Sequence, residues 1–258
     1  MILDLYRHRG YIWRTAWSEV RTRYAGSGMG ALWNLVQPLS MILVFSLVFT
    51  SIMKHRDMGG VPYTVYLCAG LLPWAAFSEC LNRGTTAFVH HAVYLRKLPI
   101  PEQVFVAQTA ATAAIGLTLS FAMLVAVAVA MGHYPSWHWL LLPVPLAMLI
   151  LVGFGLGLAL GTVNAFIRDV GQVVPILLQM WFWFYPIVYH ESFLPGWLRA
   201  ALPYNPVYPA ITGIRELFLA REVPSAWLWA QMALWAAGAG ALGWVVLRRL
   251  RDELRDVI

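Results

Sequence analysis

Residues 168–190 read RDVGQVVPILLQMWFWFYPIVYH. A charged pair, Arg168 and Asp169, opens the stretch. From Val170 to Tyr189 the only ionisable side chains are tyrosines. A helix rising about 1.5 Å per residue makes such a run roughly 30 Å long, the thickness of a bilayer's hydrocarbon core. Pro175 and Pro186 each remove a backbone donor and predict kinks, which lipid-embedded helices tolerate when neighbours satisfy the freed carbonyls. The second half is aromatic: Trp181, Phe182, Trp183, Phe184, Tyr185 and Tyr189. On a continuous helix Trp181 and Tyr185 share a face, as do Phe182 and Tyr189, while Trp183 and Phe184 point elsewhere.

The whole chain agrees with a membrane reading. Of 258 residues, 60% are hydrophobic and 12% charged, and the mean hydropathy is +0.65. A soluble domain carries about twice that charged fraction. The fold class is therefore an all-α integral membrane protein, a single transmembrane domain over 1–258. The net charge of +6 points to arginine-rich membrane ends and not to nucleic acid. Cys68 and Cys80 share one apolar segment too far apart to bridge. The N-terminus places Asp4, Arg7, Arg9 and Arg14 where a cleavable leader needs an apolar run.

Residues 3–25 predict an amphipathic helix lying in the headgroup layer. Tyr6, Trp13, Trp17, Val20 and Tyr24 are assigned to one side, with Arg7, Arg14, Ser18 and Arg21 on the other. Spans follow at 31–53, 63–83, 102–131, 137–163, within 168–190, and at 226–247. In the first, Asn34, Gln37, Met41, Phe45 and Val48 share a face. The second carries Glu79, a costly group in lipid and so a functional candidate. Residues 84–101 read as a polar connection fixed by Pro99 and Pro101, with Arg96 and Lys97 just before them, suited to docking. The fourth span has Gly153, Gly157 and Gly161, two overlapping GxxxG patterns that let helices approach closely. Residues 190–225 contain short amphipathic pieces around 196–202 and 206–219, expected to be re-entrant or surface-lying.

Six spans place both termini on one side. That side holds thirteen of the 18 Lys and Arg residues, so the positive-inside rule puts it in the cytoplasm. No GxxxxGK[ST] motif occurs, so the chain itself cradles no ATP. There is no ladder of ionisable groups for ion-driven transport and no evident inverted repeat. No nucleophile–base pair or metal-ligand spacing stands out: His90 and His91 are adjacent and diverge on a helix. The expectation is a non-enzymatic subunit without a metal or cofactor of its own.

With these features in place, the chain resembles the membrane subunit of type-2 ABC exporters for surface polysaccharide, the permeases of O-antigen, capsule and teichoic acid. The residues that carry the resemblance are RTRYAGSGMGALWNLVQPL at 21–39, GLLPWAAF at 70–77, LRKLPIPE at 95–102, RDVGQVVPILLQMWFWFYPIVY at 168–189 and YNPVYPAITGIRELF at 204–218. The resemblance implies a homodimer in the bacterial inner membrane with two copies of a separate ATPase, which holds ATP and Mg. Its substrate would be lipid-linked polysaccharide, most simply O-antigen. Trp181, Phe182, Tyr185, Tyr189, Asn34, Gln37 and Phe45 would line the channel. The helix at 3–25 would be a gate, with Arg14, Arg21, Arg23 and Tyr24 at the lipid anchor. Tyr94, Arg96, Lys97, Pro99 and Glu102 would couple to the ATPase. Arg168 and Asp169 fall in a cytoplasmic loop, and 190–225 would be an outward gate. The competing readings are a drug or lipid permease of the same build and a membrane-embedded lipid-sugar transferase, the latter disfavoured by the lack of paired carboxylates.

Overall fold

The structure is a computed structural model describing residues 2–23, 33–52, 62–189, 191 and 194–257. The described elements are helical: α1 (Ile2–Arg7), α2 (Arg9–Thr22), α3 (Trp33–Ile52), α4 (Tyr63–His90), α5 (Ala92–Lys97), α6 (Gln103–Ala130), α7 (Pro143–Phe166), α8 (Val170–Phe184), α9 (Gly196–Ala201), α10 (Tyr208–Arg215) and α11 (Ala226–Val257). Among the described residues four stretches are long and apolar enough to cross a membrane: Tyr63–His90, Gln103–Ala130, Trp137–Phe166 and Ala226–Leu254. To these α3 adds a mainly apolar helix of 20 residues and α8 one of 15.

The core is organised around α7, and glycines decide how. Spacing of four puts Gly153, Gly157 and Gly161 on one face, where they meet α4. A Cβ on Gly157 would lie 3.2 Å from Gly84 Cα, and one on Gly161 would lie 2.6 Å from the Gly84 carbonyl oxygen. Gly155 points the other way, to α11: a Cβ there would sit 2.3 Å from the Ala239 carbonyl carbon. Gly243 of α11 returns the contact, 2.4 Å from the Gly155 oxygen. Apolar helices in lipid gain little from further burial of greasy surface, so close backbone contact of this kind supplies the packing. The GxxxG stripe is thus spent inside the protomer.

Several boundaries differ from the sequence expectation. Helix α4 does not stop at Arg83 but runs to His90, with Gly84, Thr85, Ala87 and Phe88 buried. The docking segment is therefore only α5 and the proline-bearing turn after it. Nothing in 84–90 breaks a helix, and its small and aromatic side chains pack on α6 and α7. The N-terminal helix is divided at His8, and Val20 sits on its buried side with Ala16 against Ile115 of α6. Trp13 and Trp17, stacked at 6.4 Å, face outward. The charged tail continues α11, because arginines and glutamates are good helix formers once past the apolar layer.

The largest correction concerns α8, which ends at Phe184 and not near His190. Tyr185 is extended (φ −107°, ψ 135°). A residue before proline is pushed out of the α region, so Pro186 ends the helix instead of kinking it.

Replacing Gly155 with Leu should abolish the α7–α11 contact and lower stability by about 1–3 kcal/mol or more, as overpacking does. Gly238, with nothing within 4 Å of its Cβ direction, should accept Leu. Membrane accumulation and thermal unfolding in detergent measure both.

Candidate functional site

Where α8 stops, consecutive backbone carbonyls lose their helical partners inside an apolar layer. Five of them find substitutes. Tyr189 donates its hydroxyl to the Trp183 carbonyl at 2.5 Å, and Ile187 N–H donates to the Tyr185 carbonyl at 2.7 Å. Arg215 of α10 donates Nη1 to the Pro186 carbonyl and Nη2 to the Ile187 carbonyl, both at 2.8 Å. Tyr63, at the start of α4, donates to the Val188 carbonyl. The Arg215 guanidinium lies over the Tyr66 ring, 4.1 Å from its centroid. Gly70 makes room for it: a Cβ there would be 2.7 Å from Nη2. Arg215 was not among the expected site residues.

This anchoring decides which faces α8 shows. Val174 and Leu178 are buried. Trp181 meets Trp74 and Phe77 edge-on, at 5.7 Å and 5.6 Å, and Phe182 leans on Trp74 at 6.0 Å. Tyr185 is fully enclosed beside Tyr208 and Thr212. Of the aromatics expected to line a passage, Trp181 and Phe182 are therefore half-buried in an internal cluster, Tyr185 is interior, and Tyr189 has committed its hydroxyl. The helix ends before Tyr185 and Tyr189, while Trp181 and Phe182 lie on the flank of α8 that packs on α4. The rings presented outward are Trp183 and Phe184, on a surface with Val173, Ile176, Leu177 and Met180. Between α8 and α9 lies a groove of about 500 Å³, lined by Leu177, Met180, Trp181, Phe184, Leu202 and Asn205 among others. On α3, Met41 and Val48 are exposed; the side chains of Asn34, Gln37 and Phe45 lie outside the described residues.

The start of α8 is tied back to α7. Asn164 accepts from Gly171 N–H at 2.6 Å. A Cβ on Gly171 would lie 2.9 Å from that oxygen, which accounts for glycine after the Arg168–Asp169 pair. Arg168 and Asp169 themselves are exposed in the turn.

The N-terminal helix is held by charge. Glu19 accepts from Arg83 of α4 and, at 3.1 Å, from Thr112 of α6. Glu79 accepts from Arg23 and, at 3.3 Å, from Arg83. Glu79 is thus a link in a chain of ion pairs joining α2 and α4, to which Thr112 of α6 adds a hydrogen bond. Arg14 and Arg21 are exposed, whereas Arg23 is engaged by Glu79; Tyr24 lies outside the described residues.

At the docking segment, Tyr94, Arg96, Lys97 and Pro99 are exposed and Leu95 is buried. Glu102, expected alongside them, faces inward with no exposed surface and pairs with Arg251 of α11 at 2.9 Å. A carboxylate beside two prolines reads as a surface group in sequence; its partner 149 residues away was not visible there. On the opposite end, His133 contacts the Phe218 carbonyl at 2.7 Å and Trp139 donates to it at 3.2 Å, fastening residues 216–220 to the α6–α7 connection. Among the described residues no cluster of His, Cys, Asp and Glu is arranged for a metal ion.

Lysine at position 215 cannot fork to two carbonyls. Arg215→Lys should leave one unsatisfied and cost about 1–3 kcal/mol, lowering the unfolding midpoint in detergent. A midpoint equal to wild type would remove Arg215 from this role.

Comparison with known proteins gives a consistent picture. Residues 11–219 match the profile of the ABC-2 type transporter family. The O-antigen export system permease protein RfbA of Myxococcus xanthus is 28% identical over 228 residues, 88% of this chain and 86% of that protein. A Klebsiella pneumoniae protein of the same name is 25% identical over 203 residues, 78% of this chain and 77% of that one. The polysialic acid transport protein KpsM of Escherichia coli is 36% identical over 69 residues, 27% of this chain and 26% of that protein.

Proposed function

The chain belongs to the ABC-2 type transporter family, and from that membership we propose that it is the channel-forming permease of an ATP-driven exporter of lipid-linked polysaccharide, most simply O-antigen. The observation that carries this reading is the extent of the likeness to the Myxococcus protein, which covers nearly all of the transmembrane framework. The exposed face of α8 supports it. That face bears two rings and four aliphatic side chains and no charge. Sugar rings stack their C–H faces on aromatic rings; such contacts are weak, repeated and compatible with sliding.

In this reading six helices cross the cytoplasmic membrane: α3, α4, α6, α7, the short α8 and α11. Both termini are cytoplasmic, and the segment 190–225 closes the outer end. Two copies face each other across α3 and α8. Each pairs through α5 with a separate ATPase that holds ATP and Mg. Trp183 and Phe184 take the channel-lining role first assigned to Trp181, Phe182, Tyr185 and Tyr189. Asn34, Gln37 and Phe45 remain assigned to the α3 side of the passage. Helix α2 is the cytoplasmic gate, with Arg14 and Arg21 placed for an anchor phosphate, since guanidinium pairs with phosphate bidentately.

Two outcomes follow. Trp183→Leu with Phe184→Leu preserves apolarity but removes the stacking surface; surface polysaccharide should fall several-fold while protein level is unchanged. Wild-type export from that variant would turn these rings toward lipid. Reversing Arg96 and Lys97 to Glu should release the ATPase from the purified complex, as judged by co-purification, and leave the permease itself folded.

A further inference from the structure

Helix α6 begins immediately after α5 and the Pro99–Ile100–Pro101 step, and two neighbouring side chains at its start hold both ends of the chain. Glu102 has no exposed surface. Its Oε2 accepts from Arg251 Nε and Nη2, each at 2.9 Å. Gln103, almost as deeply buried, donates Nε2 to Asp4 Oδ2 of α1 at 2.9 Å. Apolar packing joins the same parts. Leu95 of α5, Phe105 of α6 and Leu254 of α11 share one buried cluster, with Leu5 of α1 packed against it. The His91 ring, at the α4–α5 junction, lies 5.0 Å from Phe105.

A carboxylate without solvent is costly to keep charged unless its partner is fixed. Arg251 keeps 42% of its side chain exposed, so the resistance to separation comes from the enclosed Glu102 carboxylate, which would be left unpaired. The outer side of α5 is exposed, while its inner side rests on this cluster. A displacement of α5 has two rigid ways onward: through Glu102 to α11, and through Gln103 to α1 and on to α2.

We propose that Glu102 and Arg251 form a clamp that carries movement of α5 to the last helix, α11, and that they are positioning residues for energy coupling and not contacts with the ATPase. The proposal rests on the reading of α5 as the docking helix.

The test uses the permease with its ATPase in proteoliposomes and measures glycan moved per ATP hydrolysed. Arg251→Gln should retain the ATPase in wild-type proportion and keep hydrolysing ATP. Its transport per ATP should fall about tenfold, within the usual range for coupling between sites. Arg251→Lys, which keeps the charge, should stay close to the wild-type ratio. An unchanged ratio in Arg251→Gln overturns the clamp. Loss of the ATPase from that variant overturns it too, because Arg251 would then act in docking itself. Should Arg251→Gln fail to accumulate, Glu102→Gln carries the same measurement with the same two outcomes. The underlying docking assignment is checked apart from this: a complex that stays assembled when Arg96 and Lys97 are reversed to Glu refutes that assignment, whatever the ratio in the Arg251 variants.

Discussion

A broken helix in an apolar layer must have its carbonyls satisfied by protein, because hydrocarbon offers no donors. In this chain the forked guanidinium of Arg215 answers that demand, together with the hydroxyls of Tyr63 and Tyr189. Much else depends on it. The position of Arg215 ties α10 beneath the end of α8. The break lets 185–188 turn inward, enclosing Tyr185 and Ile187. The same turn leaves Trp183 and Phe184 on the outside of the protomer. The half-buried cation is itself accommodated by the Tyr66 ring and the space above Gly70.

The rest of the framework is held by two different kinds of contact, and their division follows depth. Within the apolar layer, α4, α7 and α11 meet through glycine, where van der Waals contact between backbones is the available force. At the end that carries the chain termini, charges take over. Glu19, Arg23, Glu79 and Arg83 bind the N-terminal helix, and Glu102 with Arg251 binds the last helix. Charged pairs persist there because part of each surface network reaches water, Glu102 excepted.

Much of this was legible in sequence, for reasons that differ by element. The long apolar runs announce themselves, since length and hydropathy alone set a span. The glycine stripe of α7 was legible as a face for close helix approach because small residues four apart share a side, and its partner proves to be α4. The short pieces of 190–225 were located by their prolines and mixed polarity. Side-chain partners across the fold were not legible. Arg215 sits in IRELF, which reads as an ordinary amphipathic turn; only the carbonyls of 186 and 187 reveal its task. Glu102 and Arg251 are too distant in sequence for either to predict the other. The flank of α8 that meets α4 was not legible, because Trp74 and Phe77 lie far away in sequence, and Pro186 takes Tyr185 and Tyr189 off the helix.

At 15 residues, α8 reaches about 22 Å, well short of a bilayer's oily interior of roughly 30 Å. The missing length is covered by the inward turn and by α9 and α10, none of which stands upright across the membrane by length. Under the proposed export role, a helix this short would thin the nonpolar barrier beside it. A hydrated cargo moving along it would face a shorter dry interval, and its lipid tail a locally pinched leaflet.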